Sequence, residues 1–138
     1  MLVAAVLVGV AEAARDDAVS YVKDRFQFGK PIGVFQAVKH PCADMAVACE
    51  AAWFQTTMAA IAMRDGLPDA SFQAAAAKAV ATRSAIRGAE SDVQIHGGYG
   101  FTAEYDPHLF VKRAHVLDRL AGDTSRQLAD VLAGSPPR

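Results

Sequence analysis

The sequence predicts an all-α fold, an antiparallel four-helix bundle, and three observations predict it. Apolar residues recur at helical spacing over long stretches nearly free of Gly and Pro. The breaks between these stretches are short and rich in Gly and Pro, the residues that relax or fix the backbone angle φ. No segment shows the period-two alternation of a half-buried strand. With 138 residues the chain can bury a real core as one domain. The expected organisation is a bundle over 1–134 with a flexible tail at 135–138, where "SPPR" closes the sequence.

The first helix is expected from Leu2 to about Arg25, apolar at its start and amphipathic later through Val10, Ala13, Ala14, Ala18, Tyr21 and Val22. Gly29, Pro31 and Gly33 end it. A second helix should run from about Phe35 or Ala37 to Arg64, with Pro41 near its first turn, where a missing N–H is tolerated. In "DGLPD" Gly66 suits a helix C-cap, and Asp69 or Ser71 could cap the third helix, which should reach about His96. That helix contains "AAAAKAVATRSAIRGAE", whose Ala residues favour helix and let neighbouring backbones approach. "HGGYGFTAEYDP" then stops it, and shorter helices follow over about His108–Leu117 and Thr124–Leu132.

A formal net charge of −1, with 14 basic and 15 acidic residues and no basic block, argues against nucleic acid as a partner. The N-terminal "MLVAAVLVGVAEA" imitates a secretory leader, but no Lys or Arg precedes it and it is too short to span a membrane, so it reads as the buried start of a helix. Cys42 and Cys49, seven apart on one helix, would lie about 10 Å apart along its axis, beyond disulfide reach. They point to a reduced, cytoplasmic protein.

Gly98, Gly100 and Ala103 nominally match a dinucleotide fingerprint, yet a helix rather than a strand precedes them. Glu-x-x-His, Cys-x-x-Cys and P-loop patterns are absent, so no metal site is expected. His40, His96, His108 and His115 lack ligand spacing and read as capping or surface residues. Glu104, in "TAEYD", is a candidate general base by its position after the glycines, but reads first as a charge near a helix N-terminus.

Two irregular segments, "RFQFGKPIGVFQAVKHPCADM" from Arg25 and "QIHGGYGFTAEYDP" from Gln94, resemble signature segments of the acyl-CoA dehydrogenase C-terminal domain. The first matches Arg-x-x-Phe-Gly-x-x-Ile, Phe-Gln and Ala-Asp-Met; the second matches Gln-Ile-x-Gly-Gly-x-Gly-Tyr/Phe. The resemblance covers nearly all of 1–134 and implies a four-helix bundle that completes an FAD site, partly across a subunit interface, in enzymes that form α,β-double bonds in acyl-CoA thioesters. It implies that Arg25 meets the FAD pyrophosphate, where a fork of donors suits phosphate oxygens. Gln27 and Phe28 would line the same part of the cofactor, with Phe35 and Gln36 close by. Gln94, Gly97 and Gly98 would approach the adenosine and pyrophosphate, glycine allowing the backbone near the phosphates.

The resemblance also implies two departures. The family's N-terminal helical and middle β-domains are expected to be missing, so the partners would be a second copy, or a chain carrying those domains, and the acyl-CoA substrate. The family's usual catalytic glutamate would fall in Leu120-Ala121-Gly122-Asp123, where Ala121 cannot take a proton; the alternative base on the first helix would fall just before Met1. No catalytic residue is therefore expected in this chain, which should be inactive alone. "HLFVKRAHVLDRLAGD" is similar to members that handle bulky or ring-containing acyl-CoAs. The competing reading is a non-enzymatic helical oligomerisation or scaffold module.

Overall fold

The computed structural model describes residues 1–134; the tail expected at 135–138 lies outside the described residues. Five helices make up nearly all of the fold: α1 (Leu2–Asp24), α2 (Gln36–Arg64), α3 (Ala70–His96), α4 (Pro107–Arg119) and α5 (Thr124–Ala133). Between α1 and α2 sits a small antiparallel hairpin, β1 (Phe26–Gln27) and β2 (Lys30–Pro31), in which Phe26 pairs with Pro31 and Gln27 with Lys30. The all-α expectation holds, and the hairpin is an addition, since strands of two residues are too short to show alternation.

The central element is α3, which packs against α1, α2, α4 and α5. Small side chains make this possible. Ala4, Leu7 and Ala11 of α1, Cys49, Ala52 and Ala59 of α2, Ala77, Ala81 and Ala85 of α3, and Ala114 and Leu117 of α4 form one continuous core. A second cluster, Ala14, Ala18, Met45 and Ala89, extends it toward the hairpin end.

The turn after α2 is a Schellman cap: Gly66 takes φ +64° and the Leu67 N–H donates to the Ala62 carbonyl at 2.9 Å. Asp69 does precede α3, but its carboxylate accepts from the Gln73 side chain at 2.8 Å instead of capping a backbone N–H. Pro41 falls at the sixth position of α2, past the first turn where it was expected, because the helix already begins at Gln36. It leaves the Ala37 carbonyl without its helical donor. Between α4 and α5, the buried Lys78 ammonium donates to the Asp118 and Gly122 carbonyls at 3.0 and 2.9 Å. Asp123 caps α5 by accepting from the Arg126 N–H at 3.0 Å. Among the described residues, no helix is long and apolar enough to cross a membrane.

Candidate functional site

Arg25 is the residue at which α1 stops, its backbone extended at φ −83°, ψ 122°. From there the chain enters the hairpin, whose two-residue loop, Phe28 and Gly29, has φ of +54° and +77°. Positive φ at both loop positions is the signature of a type I′ turn, the connection that matches strand twist. Gly29 adopts it freely; Phe28 does so at a cost of about 1–2 kcal/mol. Despite that cost the Phe28 ring is 88% exposed, touching Phe35 edge-on at 6.1 Å. Lys30 Nζ lies 4.8 Å above the Phe35 ring. Gly33 anchors the hairpin for a different reason: a Cβ there would meet the Val22 carbonyl oxygen at 3.1 Å.

The second segment leaves α3 through Gly97, at φ +61°, and continues as a short 3-10 turn to Phe101. Its three glycines have three different explanations. Gly97 needs the left-handed backbone; Gly100 needs the space, because a Cβ would meet the Val93 carbonyl oxygen at 2.6 Å. Gly98 needs neither, since its φ is outside the left-handed region and nothing lies within 4 Å of where a Cβ would stand. The absent side chain at Gly98 leaves open surface.

Tyr99 joins the two segments. The Arg25 guanidinium sits 5.4 Å from the centre of the Tyr99 ring, half-buried and without a carboxylate partner among the described residues. Of the other candidates, Gln27 and Gln36 are exposed on the hairpin side, while Gln94 lines a groove with Ala37, Val38, Pro41, Arg87 and Glu90. Glu104 is exposed in the bend before α4, ahead of the Asp106 N-cap position. Ala121 lies in the α4–α5 turn at φ +59°, its carbonyl accepting from Gln127 at 2.9 Å. A larger groove of about 810 Å³, apolar and bordered by Met1, Leu2, Ala5, Trp53 and Met63, lies between the start of α1 and the second half of α2, away from both segments.

One expectation is corrected. His96 is neither a capping nor a surface residue: it is 3% exposed, because Tyr21 stacks on its ring at 3.9 Å and Tyr105 approaches at 5.5 Å. Its Nδ1 lies 3.0 Å from both the backbone oxygen and Oδ1 of Asp92, with the hydrogen bond directed to the backbone oxygen, and its Nε2 lies 3.8 Å from Asp17 Oδ2. Burial, then the Asp17 charge and a hydrogen bond with Asp17, push the Asp92 carboxyl up to about 8. Sequence reasoning did not single out Asp17 or Asp92. The usable signal was spacing: Ala81, Ala85, Ala89, Asp92 and His96 follow one another at helical intervals on the stripe that faces the core. The other histidines are unlike it, His40 and His115 being exposed and His108 half-buried.

Cys42 and Cys49 are free thiols, the first half-buried and the second buried, and burial pushes both up.

Residues 1–135 match the family model described as "Acyl-CoA dehydrogenase, C-terminal domain". Acyl-CoA dehydrogenase FadE34 of Mycobacterium tuberculosis is 42% identical over 133 residues, 96% of this chain but 19% of the relative. The structure of butyryl-CoA dehydrogenase from Megasphaera elsdenii superposes with a TM-score of 0.90 at 40% identity, over 95% of this chain and 34% of that one. A steroid acyl-CoA dehydrogenase variant, Tcur3481-Tcur3483, gives 0.88 at 33% identity, over 95% and 36%. The chain thus spans about a third or less of the length of these proteins, and with the family model matching residues 1–135 it belongs to the acyl-CoA dehydrogenase family, as that family's C-terminal domain.

Proposed function

We propose that this chain supplies the pyrophosphate edge of an FAD site in an acyl-CoA dehydrogenase, a cytoplasmic flavin oxidoreductase that desaturates acyl-CoA thioesters between Cα and Cβ. The observation that carries this reading is Gly98, open where the fold requires no glycine, together with Arg25, a guanidinium without a carboxylate partner and joined to the same turn through Tyr99. Arg25 would pair with pyrophosphate oxygens in a charge-assisted, forked manner. Gly97 and Gly98 would let backbone N–H groups near the phosphates, and Gln94 would offer its amide beside them. Gln27, Phe28, Phe35 and Gln36 would form the hairpin side of the site, Phe28 giving an exposed aromatic face. When bound, FAD accepts the β-hydrogen of the substrate as hydride. The α-proton must go to a base, and Ala121 leaves this chain without one at the family's usual place.

The remaining walls of the site would come from a second copy or from a chain carrying the N-terminal and middle domains. The exposed apolar face of α2, with Val47, Phe54 and Met58 all more than 40% exposed, is of the kind that such partners cover. That face also favours the second reading, an oligomerisation module without enzymatic activity. Ring-bearing acyl-CoAs are the substrate class we favour, on the spelling of "HLFVKRAHVLDRLAGD" and on the 33% identity to a steroid-directed relative.

The test compares the chain alone with the same chain assembled with the family's N-terminal and middle domains. Alone, it should neither retain stoichiometric flavin nor oxidise any acyl-CoA, since an edge cannot bury the cofactor. Assembled, it should be yellow and should reduce an artificial acceptor with ring-bearing acyl-CoAs faster than with butyryl-CoA. An assembled protein that stays colourless would leave the scaffold reading standing.

A further inference from the structure

His96 is the last residue of α3, so whatever holds its ring also sets where the chain turns into Gly97. Neither carboxylate oxygen of the fully buried Asp92 meets a hydrogen-bond donor among the described residues. Across from it stands Asp17 of α1, and ligand-type atoms of Asp17, Asp92 and His96 all lie within 4.8 Å of one another. Two acceptors so close, one of them fully buried, are compatible only when one carries a proton. A metal ion would meet three side chains, fewer than the four ligands of a closed structural zinc site, and Nδ1 of His96 is already engaged by the Asp92 carbonyl.

We propose that Asp17, Asp92 and His96 form a proton-dependent latch between α1 and α3 that positions the Gly97–Gly98 turn and, through the adjoining aromatic rings, Arg25. The functional meaning of the latch rests on the cofactor-edge reading; its structural content does not. The route to Arg25 is continuous: Tyr21 stacks on His96, Tyr105 meets Tyr21, His96 and Tyr99 at 5.9, 5.5 and 5.6 Å, and Tyr99 lies under the guanidinium. The Arg25 N–H also donates to the Tyr21 carbonyl at 2.9 Å, so a shift of α1 moves both ends together.

When the proton leaves the Asp92 carboxyl for solvent, past the half-exposed Asp17, two negative charges face each other and α1 is pushed from the last turn of α3. The titratable groups around the pair are Asp17 and Tyr21 from α1, Cys42 from α2, His96 on α3 and Tyr105 from the following loop. Burial pushes Tyr21 and Cys42 above their ordinary values of 10 and 9, so the Asp92 carboxyl ionises before either.

The test is carbon-detected NMR of the full 138-residue chain between about pH 5 and pH 10, a window that spans ordinary histidine and thiol titration. The Asp92 carboxyl signal should titrate in the alkaline half of that window, and the Gly97, Gly98 and Arg25 N–H signals should move with the same midpoint. Asp17→Asn, at a half-exposed position, should lower the Asp92 midpoint by about one pH unit, because it removes the facing charge. Asp92→Asn should abolish the coupled movement of the glycines; if that variant does not fold, Asp17→Asn alone decides. An Asp92 carboxyl that titrates near pH 4, glycine signals that ignore its titration, or saturable stabilisation by added zinc would each overturn the latch. Flavin plays no part in these measurements, so failure of the latch and failure of the cofactor reading remain separable.

Discussion

In α3, 13 of 27 residues are buried, and Ala75, Ala77, Ala81, Thr82, Ser84, Ala85, Gly88 and Ala89 among them are small. In the hairpin after α1, Phe26 and Phe28 are 59% and 88% exposed, and Phe28 holds a backbone angle that aromatic residues avoid. The interior of α3 is explained by its neighbours, since four helices converge on it and only short side chains fit between them. The hairpin is not explained that way. Burial does not account for Phe28, and on the reading proposed above its strained, exposed ring is kept for the cofactor. On that reading, the difference separates residues placed for packing from residues placed for contact with another molecule.

Four experiments can break or sharpen this contrast. The largest effect should come from pH. The Asp92 carboxyl titrates near 8 in the fold against an ordinary value of 3.8, so its contribution is fully present below about pH 4 and is lost as pH rises through about 8. Stability should fall across that window by up to about 1.4 kcal/mol per pH unit and then level off. Thermal unfolding at a series of pH values should show the fall, and Asp92→Asn should flatten it; identical profiles would remove Asp92 as the cause.

Next is Ala85→Leu, which forces extra atoms into a fully buried α3 site and should cost about 3 kcal/mol in urea unfolding, the upper end for overpacking. A loss below about 1 kcal/mol would mean that α3 is less tightly enclosed than its exposure implies. On the hairpin side, Arg25→Ala should leave the unfolding midpoint of the domain unchanged while weakening FAD binding in the assembled flavoprotein by about 1.5–3 kcal/mol, the range for hydrogen bonds to charged groups. Unchanged flavin content would count against Arg25 as a phosphate ligand. The smallest effect, and the one that separates the regions most sharply, is Phe28→Gly. It should raise stability by up to about 1 kcal/mol by relieving the left-handed strain, and at the same time lower flavin affinity. A variant that is both more stable and binds flavin equally well would leave the ring at Phe28 without a purpose.

The helices were legible because the physics that makes them is local. Apolar periodicity and Gly66 in a Schellman turn both act within a few residues. The bounds of α1, α4 and α5 departed from expectation by a residue or two, as helix ends do. The hairpin was invisible because two-residue strands carry no pattern, although Gly29, Pro31 and Gly33 marked the break itself. His96 was misread since a histidine at the end of a helix is usually exposed, and its cover comes from Tyr21, 75 residues earlier, and from Tyr105, past the glycine turn. The roles assigned to Arg25, Gln94 and Gly98 came from motif resemblance. The distinction among the three glycines lies beyond sequence, because it depends on what surrounds each Cβ position.

The last helix carries a consequence of its own. Only Gln127 of α5 is buried, while Leu128 and Leu132 are 50% and 87% exposed. What ties its start to the bundle is polar: the Lys78 ammonium on two carbonyls and Gln127 on a third. With so little apolar area to lose, α5 can detach while α1 to α4 remain assembled, at a free energy well below that of global unfolding. Its amides should be the first helical amides in the chain to exchange with solvent, and a protease should find the α4–α5 turn before any other site between helices.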